Sequence, residues 1–191
     1  MPTIITHAIV GAGTGVAISN RALPKKFWLL SVFCAILPDV DGIGLKIGIP
    51  YSHFFGHRGF FHSLFFACMV GLTVTAVILR KGEASRNDWW FYSIYFSLAT
   101  ASHGVLDAFT NGGLGIALLA PFIDHRYFFW TTPISVSPIS PRAFLTWRAF
   151  GILSNEMKWV WLPVLVLASA GKFFLFRQNR DERGQARLLD I

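Results

Sequence analysis

Residues 60–79, FFHSLFFACMVGLTVTAVIL, decide the fold: the stretch holds one histidine and no acid, lysine or arginine, and it has the length a helix needs to cross a bilayer's hydrocarbon. Overlapping its start is SHFFGHRGFFHS, residues 52–63, where His53, His57 and His62 crowd around Arg58. Such side chains at the mouth of a span are costly without a purpose. The junction is therefore read as a site, and the remaining chain is searched for residues that converge on it.

Of the 191 residues, 53% are apolar and only 14% charged, a balance that places the chain among membrane proteins of one helical domain. Residues 4–19, IITHAIVGAGTGVAIS, form a first apolar helix whose Gly11 and Gly15 would let another helix approach closely. The GAGTG run is no nucleotide fingerprint, because it lies inside an apolar helix and not at a strand-to-helix turn. Residues 27–37 give a second run, ended by Pro38. At about 1.5 Å per residue it cannot cross about 30 Å of hydrocarbon alone. Either flanking lysines extend it or Asp39 and Asp41 lie below headgroup level.

Asp39 to Gly59 reads as a loop. A fourth helix covers 89–106, opened by Trp89, Trp90 and Tyr92 as an interfacial belt and closed by the stretch that begins SHGVLD. A long connection, 108–157, with short helices near 114–122 and 143–152, precedes a last span over 158–176. The fold class predicted is all-α, a polytopic membrane bundle of about five transmembrane helices plus short helices in a long outer loop. Residues 1–176 form one membrane-embedded catalytic domain, and 177–191 a basic, solvated tail.

The net charge is +7, yet the lysines and arginines sit in short clusters between apolar segments, which marks topology and not a nucleic-acid partner. Residues 21–26, the turn at 80–88 and the C-terminal tail counted from Lys172 carry eleven of the seventeen Lys and Arg residues. The positive-inside rule then places the N-terminus outside and the C-terminus in the cytoplasm. Cys34 and Cys68 fall in apolar segments, so no disulfide framework is expected. No cleavable signal is expected either, since the first apolar segment lacks a basic leader.

On that topology His7, Asp39, Asp41, His57, His62, His103 and Asp107 share the outer side, although none of them entered the charge count. His103 and Asp107 are four apart, on one helical face; such a pair serves a metal ion or satisfies itself. Asp39 and Asp41, two apart in LPDVD, would point one way on an extended backbone, as a metal pair or as a loop pair binding amides. Gly59 permits a bend that leaves His57 in the loop and His62 in the first helical turn. Desolvated carboxylates and imidazoles in this number need a counter-charge, which a divalent metal supplies. Mixed His and Asp ligands fit zinc, or manganese, better than magnesium or calcium, and two ions could share the set. Arg58 is suited to a phosphate oxygen; Arg126 and Arg142 have a weaker claim. His53 and the Asp124/His125 pair are left out of the site.

Taken together, His7, LPDVD, HRGFFHS, SHGVLD and PFIDHRYFFWTTPI make the chain from His7 to about Pro141 resemble the YdjM-like family of inner-membrane proteins, regarded as metal-dependent hydrolases. The resemblance implies a metal-binding hydrolase of the inner (plasma) membrane, distantly related to zinc phospholipase C and P1-type nuclease enzymes, with the seven histidines and aspartates at the family's motif positions. Phe61 departs from the pattern, standing where a small polar residue is expected beside His62.

The function expected is metal-dependent hydrolysis of a phosphoester in a membrane lipid or similar amphiphile. Asp41, His57 and Arg58 would be catalytic, with His57 a further ligand or a proton carrier. A metal-stabilised structural or assembly protein would use the same ligands. A metal transporter would need ionisable residues along several helices, and the inner halves of the spans have almost none.

Overall fold

A computed structural model describes residues 1–19, 23–79, 85–138 and 146–189. Arg21, Arg80 and Lys81, which entered the charge reading, and Arg142, the weaker candidate for a phosphate contact, lie outside the described residues. The described chain is helical, with two isolated β-bridges and no strand. Helices α1 (Ile4–Ile18), α2 (Lys25–Ile36), α3 (Gly42–Lys46), α4 (Leu64–Ile78), α5 (Arg86–Ala108), α6 (Trp147–Glu156) and α7 (Leu162–Leu189) follow in order.

Local sequence sets the starts. Thr3, Ser63 and Ser85 cap α1, α4 and α5, each side chain accepting from the backbone N–H three residues on. The Ser85 hydroxyl accepts from the Asp88 N–H and donates to the Asp88 carboxylate, which holds the cap in place. Pro38 turns the end of α2 into a 3₁₀ turn, Leu37–Asp41, instead of stopping the chain's helical path. That path runs on through α3, so Lys25–Lys46 forms one stretch long and apolar enough to cross a membrane, with Asp39 and Asp41 inside it. This answers the shortness of the second apolar run.

Trp147–Gln178 is a second stretch that qualifies, while α1 and α4 are shorter apolar helices. The last span was expected to begin at residue 158. Instead α6 passes through a π-helical turn, Met157–Trp161, directly into α7, which continues past residue 176 to Leu189. The short helix expected near 114–122 does not form. Gly113 and Gly115 have φ of +91° and +81°, outside the helical region, and Ile116 pairs with Tyr127 in a bridge. The helix expected near 143–152 is present as α6 from Trp147; residues 139–145 lie outside the described set.

α1 packs between α2 and α7, and α5 packs on α4, α2 and α1. Gly11 is required for the first of these contacts: a Cβ there would lie 2.8 Å from Ser31's carbonyl oxygen and 2.7 Å from the Ala35 Cβ. The core beneath is aromatic, with Phe27 stacked on Tyr95 at 4.5 Å. The Tyr95 hydroxyl donates to the Gly11 carbonyl at 2.6 Å. On the outside, Leu29, Phe33, Leu72, Val77, Leu165 and Val166 are exposed, as a lipid solvent permits. Alternation of the helices leaves the start of α1, the end of α2, the start of α4 and the end of α5 together at one end of the bundle.

Candidate metal centre

At that end α5 contributes His103 and Asp107, both fully buried. His103 Nε2 lies 3.2 Å from Asp39 Oδ1 and 4.0 Å from Asp107 Oδ2. His62 sits in a 3₁₀ turn, Phe60–His62, just ahead of α4 rather than in its first turn. Its Nε2 is 3.5 Å from Asp107 Oδ2 and 3.8 Å from Asp39 Oδ1, and its Nδ1 is 3.1 Å from Asp41 Oδ2. Asp39 and Asp41 therefore do not point one way, as an extended backbone would have them. The 3₁₀ turn aims them at opposite nitrogens of one imidazole.

His57 Nδ1 meets Asp41 Oδ1 at 2.6 Å. His7 adds a further face: its Nε2 is 3.6 Å from Asp107 Oδ1, and its ring stacks on His103 with centroids 3.7 Å apart. All seven predicted residues are brought together. Asp39, His62, His103 and Asp107 form one group of possible metal ligands, and Asp39, Asp41, His57 and His62 a second, with the ligand atoms of each group within 4.8 Å of one another. His7 belongs to neither group and touches the first through Asp107.

These residues fit a metal ion on the chain's own evidence. Both nitrogens of His7 and of His62, and both oxygens of Asp107, are buried without a hydrogen-bond partner among the described residues. Buried polar atoms left this way are rare and costly. His7 and His62 face Asp107 at ion-pair distance without hydrogen-bond geometry, as ligands of one ion would, while His57–Asp41 and His103–Asp39 are hydrogen-bonded.

Arg58 departs from the sequence expectation of a phosphate contact. It is turned inward at about 1% exposure, with Nε 3.4 Å from Asp107 Oδ2 and Nη2 donating to Thr110 Oγ1 at 3.0 Å. Nη1 donates to the Gly112 carbonyl. Arg126 is likewise committed, to the carbonyls of His57, Tyr51 and His53, and it lies over the Tyr51 ring. Burial lowers the Arg126 pKa and raises that of the Tyr51 phenol, so a neutral ring faces the cation. His53, left out of the site, is exposed and accepts from Phe55 N–H through Nδ1. Phe61 packs edge-on against Phe66 at 5.2 Å, which accounts for an aromatic beside His62.

Glu156 was missed. It is fully buried at the junction of α6 and the π turn and accepts three bonds of 2.6 Å, from Thr3 N–H, the Thr3 hydroxyl and the Thr6 hydroxyl. It thereby ties down the start of α1, one residue from His7. The available signal was that no other Asp or Glu lies between Asp124 and Asp181.

Fold and site together define an all-helical membrane protein with a buried histidine–aspartate cluster suited to a metal ion. The chain belongs to the YdjM inner membrane protein family, whose family model matches residues 1–179. It is 35% identical over 167 residues to the inner membrane protein YbcI of Escherichia coli (strain K12), covering 87% of this chain and 95% of that protein. No solved structure matches it. Inner-membrane localisation follows from the family.

Proposed function

We propose that this inner-membrane protein is a metal-dependent hydrolase acting on a phosphoester of a membrane lipid or similar amphiphile. The observation that carries the reading is the pair of overlapping His/Asp groups, which share Asp39 and His62 and contain buried atoms without partners. Zinc is favoured and manganese fits, by the mixed nitrogen and oxygen donors. A divalent ion held there would supply Lewis acidity toward a phosphoryl oxygen.

The chain's residues divide the remaining work. Asp41 holds His57 at Nδ1, which orients the imidazole and leaves Nε2 to take or give a proton. Asp39, about 12% exposed at its side chain, is the least buried of the ligands and marks the side from which a headgroup reaches the site. The helices cross about five times, with the N-terminus outside and the C-terminus cytoplasmic. In support, Lys25, Lys26 and Arg86 start their helices at the end of the bundle opposite the site, where Lys172 donates to the Ser19 carbonyl at 2.6 Å.

One observation favours a second reading. Apart from Asp39, every candidate ligand is buried, as in a closed structural metal site. Turnover decides. Metal-loaded protein in lipid nanodiscs is assayed against phospholipids, isoprenoid phosphates and a generic phosphodiester. Hydrolysis lost on chelation supports the enzyme; metal retained without cleavage of any of these leaves the structural reading.

A further inference from the structure

The cluster carries a cation of its own. Asp39, Asp41 and Asp107 bring three carboxylates to one end of the bundle, and Arg58 is tied to two of them. Its backbone N–H donates to Asp41 Oδ2 at 3.1 Å, while its Nε lies 3.4 Å from Asp107 Oδ2. Gly112 and Thr110 fix the guanidinium from the other side. Arg58 has a φ of 65°, a left-handed conformation that costs free energy outside glycine and persists where the surroundings over-determine it. Here it goes with a backbone N–H aimed at one carboxylate and a side chain aimed at another.

A guanidinium stays charged. Three carboxylates and one guanidinium leave two net negative side-chain charges, which one divalent ion neutralises when the imidazoles are neutral. A second ion would leave two uncompensated positive charges in a buried site, where unpaired charge is costly. Yet the two donor groups overlap at Asp39 and His62. There are ligands for two ions and counter-charge for one.

We propose that Arg58 is the resident counter-cation of this centre, holding it at one divalent ion until an oxyanion of the phosphate class enters with the second. The inference rests on the metal-dependent reading above and specifies how its substrate class is admitted: the phosphate oxygens bring the missing negative charge. Arg58 is not the anion's ligand, because its guanidinium nitrogens face Asp107, Gly112 and Thr110.

The test is metal stoichiometry, not turnover. The full chain in detergent is dialysed against Zn²⁺ with and without inorganic phosphate, and bound metal is counted by elemental analysis. Mn²⁺ serves as a second probe, since a neighbouring pair shows a spin-coupled paramagnetic resonance spectrum. The expected result is about one ion per chain without phosphate and about two with it, by the charge balance of a buried site. Arg58→Gln should bind the first ion about tenfold more tightly and need less phosphate for the second, whereas Arg58→Lys should behave as the wild type. Should Arg58→Gln not fold, the phosphate dependence of the wild type alone decides. Two ions without phosphate, or one with it, would overturn the counter-cation and leave the metal-dependent reading standing; no bound metal would overturn both.

Discussion

His103 donates from Nδ1 to the main-chain carbonyl of Ala35 at 2.8 Å, and this bond decides which way the imidazole's chemistry faces. A carbonyl only accepts, so Nδ1 carries a proton, and Nε2 is the nitrogen left to face Asp39 Oδ1, at 3.2 Å. The bond from α5 to α2 is thus a ligand-orienting contact of the kind that metal-binding histidines make.

Metal should consequently stabilise the fold. At a hundredfold its Kd, Zn²⁺ should add about 2.7 kcal/mol to the unfolding free energy, read as a rise in the thermal midpoint in detergent that EDTA reverses. The double variant His103→Ala, Asp107→Ala should fold without responding to metal. A wild type whose midpoint ignores both Zn²⁺ and EDTA would remove the ground for a metal centre.

Gly104 makes the site possible at close range. A Cβ there would run into the carbonyl oxygen of His62, and a backbone atom cannot swing aside as a long side chain can. Gly104→Ala should shift the 3₁₀ turn, cost about 1–3 kcal/mol and weaken Zn²⁺ binding by about 10–100-fold. Gly151→Ala is the control: nothing lies within 4 Å of that Cβ, and relief of glycine's helix penalty should stabilise α6 by up to about 1 kcal/mol. Equal metal affinity in the two variants would mean that the turn's position does not matter.

The legible part of this protein was the polar exception in an apolar chain. His57, His62, His103 and Asp107 stood out because water-seeking groups at span ends have few innocent explanations, and the four-residue spacing of His103 and Asp107 fixed their common face. What escaped depended on partners distant in sequence or on backbone detail. Pro38 signals an end to α2, but not that a 3₁₀ turn would split Asp39 and Asp41 across His62. Arg58 looks the same in sequence whether it meets a phosphate outside or Asp107 within. Residues 114–122 look helical by apolarity until the positive φ of Gly115 is seen. Glu156 caps a helix about 150 residues earlier, a contact that no local pattern encodes.

Glu156 supports a prediction of its own. Its carboxylate accepts from Thr3 and Thr6 at the start of α1, where the helix dipole favours negative charge, and Trp161 Nε1 donates to the same Thr6 hydroxyl at 2.6 Å. Glu156→Gln puts an amide N–H₂ against groups that now donate. The loss should be about 1–3 kcal/mol, with faster hydrogen exchange at the first turn of α1 and a smaller loss of metal affinity through His7. Unchanged exchange there would show that the three bonds do not hold the helix.

His57 separates ligand from proton carrier. Its Nδ1 is held by Asp41 at 2.6 Å, and it stands apart from the group of Asp39, His62, His103 and Asp107, which supplies four donors without it. As a proton carrier, His57 should be dispensable for the first metal and indispensable for turnover. Against a phosphoester that the wild type cleaves, His57→Ala should keep about one bound ion while kcat falls by about 10²–10⁴, and the pH–rate profile should lose one limb. An exogenous imidazole that restores part of the rate would point to the missing proton transfer. If His57→Ala instead loses all bound metal together with turnover, His57 is a ligand, and the Asp41 contact orients it toward the ion.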